Sequence, residues 1–293
     1  MSKLRSHIQV KTKYLSNSFI IIAILLVLMI SLIPLYWTFI VSISPEVEIN
    51  SVPPHWFPHK PTYTNYLKIL FSSHGTRGAS YAFKEGLVNS LIISVIVTVI
   101  ALFIGSLAAY SIVKLKVPFA NVITIFILLS QMLPPVVLVI PLYFIGAKIG
   151  LLDTKTVLII IYLGLNLPLA IWILQAYFKT LPDAIEDSAL IDGCSRVQSL
   201  FKIVLPLSGP ALFTAGLFLF LASWNEFLMA LVFTSTINSK TMPVAMAEMI
   251  GRFFTDYGLM ATAGILGSII PLLFAAVFQR YLISGITGGS VKM

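Results

Sequence analysis

Six apolar stretches of this sequence are each long enough to cross a lipid bilayer, and five of them contain no charged residue. They fall at residues 18–42, 87–113, 118–144, 156–176, 203–231 and 259–278. A helix needs about 20 apolar residues to span hydrocarbon, so each run qualifies by length. Inside lipid every backbone N–H and C=O must be bonded within its own segment or within a closed barrel. These runs are continuous and do not alternate, which predicts helices rather than barrel strands. The fold class expected is an all-α integral membrane protein of about six transmembrane helices, one membrane domain over residues 1–293.

Composition excludes the soluble classes. Apolar residues make up 58% of the chain and charged ones 10%, where soluble domains hold about 45–50% and about 25%. The formal charge of +8 would suit nucleic acid, but in so apolar a chain the basic residues serve topology. Lys3, Arg5, Lys11 and Lys13 cluster before the first run, which places the N-terminus in the cytoplasm. With six spans the C-terminus is then cytoplasmic too. Residues 43–86 and 233–258 become external segments, 177–202 an internal loop and 279–293 an internal tail. Cys194 is the only cysteine, so no internal disulfide and no Cys/His metal site is expected. The first run lacks a small-residue cleavage site and is expected to be retained as a span.

The internal loop carries four carboxylates within ten residues: Asp183, Glu186, Asp187 and Asp192. Pro182 suits the first turn of a helix, and Asp183 and Glu186 complement its positive end. Gly193 suits the left-handed residue that stops a helix. Ser195 with Gln198 reads as a capping box opening a second helix, whose Val197, Leu200, Phe201 and Val204 repeat at i, i+3, i+4, i+7. The expectation is a helix–turn–helix along the cytoplasmic surface. Such a hairpin either floats in the headgroups or offers a rigid knob to a cytoplasmic partner. An acidic first helix is a poor match for an anionic inner leaflet.

Asp187-Ser188-Ala189, then Asp192-Gly193, followed by Phe201, Ile203, Leu205 and Pro206, resembles the EAA loop of ABC importer permeases. The family motif runs Glu-Ala-Ala-x-x-Asp-Gly; here Asp187 and Ser188 replace its Glu and first Ala, and Glu186 lies next door. Further stretches are similar to the carbohydrate-transporting, maltose-transporter-like branch. They are Pro134-Pro135 leading to Ile140-Pro141-Leu142, Gly150 to Thr154, Leu167-Pro168 through Trp172, and Trp224-Asn225-Glu226-Phe227-Leu228. The tail from Gln279 to Lys292, with Gly285, Thr287, Gly288 and Gly289, is similar as well.

The resemblance implies a type I ABC importer permease fold in a bacterial inner membrane. It implies ATPase-coupling residues at Glu186, Asp187, Ser188, Ala189, Asp192, Gly193, Cys194, Ser195 and Phe201, in coupling helices seated on the ATP-binding subunit. It implies a tail at Gly288, Gly289 and Lys292 that reaches the ATPases. The partners implied are a second homologous permease, a dimer of ATP-binding subunits and an extracytoplasmic substrate-binding protein. The pore would be heterodimeric, the cargo a sugar or oligosaccharide, and ATP and Mg would be bound only by the partner ATPases.

The span interiors hold almost no ionisable residue, whereas ion-driven carriers need them there. The chain also lacks a G-x-x-x-x-G-K-[ST] phosphate loop. A passive pathway driven by separate ATPases fits both facts; an autonomous secondary carrier or channel for a small polar solute is the alternative. Nothing resembles HExxH or GxSxG, so no catalytic residue is expected. Trp224, Asn225 and Glu226 offer a ring, an amide and a carboxylate suited to hydroxyls. The same trio suits an aromatic belt at the water interface. Gln131, Tyr162 and Asn166 either line a polar path or bond between helices. Gly105, Ser106, Ala108 and Ala109 allow close helix approach, and Pro134, Pro135, Pro141, Pro168, Pro210 and Pro271 should bend spans or lie near their ends.

Overall fold

The structure, a computed structural model, describes residues 2–71, 78–250 and 256–288. The main helices are α1 (Ser2–Ile43), α2 (Ala79–Val113), α3 (Ala120–Gln131), α4 (Pro135–Lys148), α5 (Lys155–Phe178), α6 (Asp183–Ile191), α7 (Arg196–Leu207), α8 (Gly209–Trp224), α9 (Leu228–Phe233) and α10 (Tyr257–Gly288). Four helical stretches are long and apolar enough to cross a membrane, within α1, α2, α5 and α10. The count rises to six if α3 with α4, and α7 with α8, are each one bent span.

The bends correct the expected boundaries. The run at 118–144 is two helices meeting at 92°, broken where Pro134 is extended (φ −62°, ψ 127°) and Pro135 opens α4. Proline removes an N–H and holds its predecessor out of the helical region, so the ladder stops there. The run at 203–231 is divided twice. Its first residues belong to α7, which meets α8 at 79° across Ser208, and α8 ends at Trp224 before the short α9. Apolarity reports what lipid tolerates and carries no information on axis direction, so one run can hold several helices. Pro141, Pro168 and Pro271 instead lie inside continuous helices.

The chain separates into two compact units, 1–72 with 251–265, and 73–250 with 266–293. In the first, the segment after α1 folds back on its end. Ser42 O accepts from Asn65 Nδ2 (3.2 Å) and Thr262 Oγ1 (3.3 Å), Tyr36 donates to Trp56 O (2.8 Å), and the Trp37 and Trp56 rings meet edge-on at 5.4 Å. Glu48 ties the proline-rich stretch by accepting the amides of His59 and Lys60.

In the second unit α2, α5 and α8 form the core. Small residues let α2 and α5 approach: a Cβ on Gly105 would lie 2.9 Å from that of Ala170. One buried cluster joins Ile93 and Val97 to Val157, Leu158, Ile161 and Phe233. A second joins Ala109 and Tyr110 to Leu174, Phe178, Leu200, Val204, Ala211 and Ala215. That second cluster is the floor under the α6–α7 hairpin.

Candidate functional site

The hairpin forms as its residues dictate. Pro182 sits one residue outside α6, in the extended conformation of a cap (φ −58°, ψ 133°), and Asp183 is the first helical residue. Gly193 has φ +86°, the left-handed region that other residues enter at a cost. Ser195 Oγ accepts from Gln198 N at 3.2 Å while Gln198 Oε1 accepts from Ser195 N at 2.9 Å, so both arms of the capping box are made.

The apolar stripe of the second helix is displaced. Leu200–Val204 winds as a π-helix. The wider turn leaves Leu200 and Val204 buried but Val197 and Phe201 exposed. Phe201 instead joins Phe103, Leu102 and Leu205 in a shallow apolar groove of about 260 Å³.

The predicted coupling residues divide into two faces. Asp187, Ser188, Asp192, Gly193 and Ser195 are exposed and Cys194 partly so, while Ala189 is buried. Ser188 returns its hydroxyl to Ala184 O at 2.8 Å. Glu186 turns inward: it is 4% exposed, and its Oε1 accepts both Tyr110 OH (2.5 Å) and Arg196 Nη1 (2.8 Å). Tyr110 OH also lies 3.1 Å from Arg196 O. Burial with two charge-assisted or short bonds makes Glu186 an internal brace rather than a free surface carboxylate. One turn further along α2, Lys114 Nζ donates to Leu181 O and Asp183 Oδ1, both at 2.7 Å. The Lys114 ammonium lowers the Asp183 carboxyl below its usual range. Tyr110 and Lys114 were not singled out by sequence. The only available signal was their one-turn spacing at the charged end of an apolar run, because Tyr110 and Glu186 lie 76 residues apart.

Three residues of the expected path meet α5 between 162 and 166: Asn166 lies on it, and Gln131 and Glu226 bond to it. Tyr162 donates to Glu226 Oε2 (2.7 Å), Asn166 Nδ2 lies 3.3 Å from Ser223 Oγ, and Gln131 Nε2 donates to Leu165 O (3.0 Å). Glu226 also accepts the amides of Met229 (2.8 Å) and Ala230 (3.1 Å), capping the first turn of α9. Trp224 is 2% exposed and stacks on Phe220, so its ring faces the core; Asn225 is exposed and bonds Leu221 O. Gly288 closes α10, and Gly289 and Lys292 lie outside the described residues.

At the opposite end of α2 a second built segment appears. Asn89 Nδ2 donates to Ile237 O (3.2 Å) and Lys240 O (2.9 Å), and Ser90 Oγ accepts Met242 N (2.8 Å). Asp153 Oδ1 accepts the amides of Ser235 (2.8 Å) and Thr236 (2.9 Å) and the Ser239 hydroxyl. Burial alone would raise the Asp153 carboxyl, but these donors outweigh it and hold it at about 2.

Among the described residues no group of His, Cys, Asp and Glu could hold a metal ion. Residues 101–288 match the family described as binding-protein-dependent transport system inner membrane component. The chain is 34% identical over 271 residues to the sulfoquinovosyl glycerol transport system permease protein SmoH of Agrobacterium fabrum, covering 92% of each. It is 34% identical over 283 residues to the trehalose/maltose transport system permease protein MalG of Thermococcus litoralis, covering 96% of this chain and 99% of that one. A bacterial ABC transporter structure involved in import of the acidic polysaccharide alginate shares the fold. It matches at TM-score 0.73 and 21% identity, over 89% of this chain and 95% of that one. The chain belongs to the binding-protein-dependent transport system inner membrane component family, the multi-pass permease subunits of ABC importers.

Proposed function

We propose that this permease moves a carbohydrate or glycoside across the inner membrane, with the α6–α7 hairpin docked on a partner ATPase. The observation that carries the reading is the two-faced hairpin. Asp187, Ser188, Asp192 and Gly193 are presented outward while Glu186 braces the back. Leu200 and Val204 anchor the hairpin's second helix in the protein's own core, while Ile191, Val197 and Phe201 stand exposed beside those carboxylates, a mixed polar and apolar surface suited to a protein partner. The carbohydrate class draws on relatives named for sulfoquinovosyl glycerol, trehalose/maltose and trehalose.

In this reading both termini, the hairpin and the tail with Gly288, Gly289 and Lys292 are cytoplasmic. Residues 43–86 and 233–258 face an extracytoplasmic binding protein, and a second permease completes the pore. ATP and Mg bind the ATPase dimer, and the permease turns that cycle into alternating access. Gln131, Asn166, Asn225 and Glu226 lie beside the pathway, where Glu226 braces α9 to α5.

The test is purification of the tagged chain from its native membrane in mild detergent. It is followed by ATP-driven uptake of a panel of glycosides by the reconstituted complex with its binding protein. Co-recovery of a second permease and an ATPase, with saturable uptake of one glycoside, is expected. Recovery of the chain alone, with ATP-independent uptake, would sink the reading.

A further inference from the structure

The hairpin and the 234–242 segment are both fastened to one helix. At one end of α2, Tyr110 bonds Glu186 and approaches Arg196 O, and Lys114 clasps Leu181 O and Asp183. At the other, Asn89 holds two carbonyls of the 237–240 turn and Ser90 accepts Met242 N. Asn89 is fully buried and Ser90 nearly so; Tyr110 is 4% exposed. From Asn89 to Tyr110 a helix rises about 30 Å, the thickness of the hydrocarbon. Between them α2 is unbroken and contains no proline.

The routes along the hairpin's own chain are poorer. Into α8 the axis turns by 79° at Ser208, so a push along α7 does not continue as an axial push. Into α5 the chain passes through the non-helical stretch between Lys179 and Pro182. At Tyr110, by contrast, one carboxylate oxygen joins both hairpin helices to α2, over the buried apolar floor.

We propose that α2 is a rigid strut that carries force between the hairpin and the 234–242 segment, with Tyr110 and Asn89 as its positioning residues. This rests on the reading of the hairpin as the ATPase dock and of 233–258 as the binding-protein face. Arrival of the binding protein at one end would then be felt at the ATPase through α2. By linkage, any factor by which the bound binding protein changes ATP affinity is the factor by which ATP changes binding-protein affinity.

The test is a double-mutant cycle on the reconstituted complex, reading the ratio of ATPase rate with binding protein to the rate without it. Tyr110→Phe keeps the buried ring and removes only the hydroxyl; Asn89→Leu keeps the branching at Cγ, in a bulkier side chain, and removes the donors. Each is expected to lower the ratio by about two- to thirtyfold. The double variant is expected to lower it no further than the worse single one. Sites this far apart normally combine independently, so multiplied losses, or an unchanged ratio in either single variant, overturn the strut.

A second measurement needs no altered strut residue. Spin labels on Cys194 and on Asn238→Cys, with no other reactive cysteine in the complex, report the distance between its two ends. One distance through the ATP cycle is expected; a shift on the scale of a helical turn, ~5 Å, overturns the proposal. A wild-type complex without ATP-driven uptake would instead refute the docking assignment on which it stands.

Discussion

Asp153 is the residue whose chemistry is most tightly set by its neighbours. It occupies the left-handed region (φ +59°), which a short polar side chain tolerates, and its carboxylate gathers two amides and a hydroxyl from the 235–239 turn. Its pKa falls from the usual 3.8 to about 2, so the folded state holds the charged form more strongly than the unfolded chain does. The stabilisation is therefore complete above about pH 4 and is lost as the pH falls towards 2. Asp153→Asn removes the charge from these bonds at every pH. Hydrogen exchange at the Ser235 and Thr236 amides should quicken by about tenfold or more near neutrality, since bonds to charged acceptors contribute about 1.5–3 kcal/mol. Exchange indistinguishable from wild type would show that Asn89 and Ser90 hold the segment without the Asp153 charge.

At the scale of elements, legibility followed sequence distance. The Gly193 stop and the Ser195–Gln198 capping box were readable because every participant lies within seven residues. The inward turn of Glu186 was not, because it depends on a phenol 76 residues away. Small residues in the second apolar run announced close packing, and Gly105 against Ala170 is where it occurs. Gly105→Leu should force α2 and α5 apart or off their rotamers, costing about 1–3 kcal/mol and lowering the thermal midpoint in detergent. Gly193 makes the opposite case, because nothing lies within 4 Å of a Cβ there and only its φ constrains it. Gly193→Ala should cost about 1–2 kcal/mol of local strain. Gly193→Pro, locked near φ −65°, cannot make the turn at all. The proline variant should insert and assemble yet hydrolyse ATP without moving solute. Normal ATP-driven uptake by it in vesicles would remove the turn from the coupling route.

For the whole molecule, the decisive property is where charge is missing. In α1 from Ile20, in α2 beyond Gly86, in α5 beyond Lys155 and in α10 to Val277, no Asp, Glu, Lys or Arg occurs. The six apolar runs, the membrane setting and this lack of interior charge were all legible from composition. The two bends and the long-range clasps were not, because a hydropathy pattern records neither axis direction nor distant partners. A carrier powered by a proton or sodium gradient needs a group that binds the ion within the membrane. Glu226 is the nearest candidate, and its two oxygens already accept Tyr162 OH and the amides of Met229 and Ala230. Uptake by proteoliposomes containing the full complex, binding protein and internal ATP should therefore persist when a protonophore collapses the proton gradient. It should stop when a non-hydrolysable ATP analogue replaces ATP. Uptake that follows the gradient and ignores the nucleotide would require an ion-binding group in these spans, and Glu226→Gln would then be the variant to abolish it.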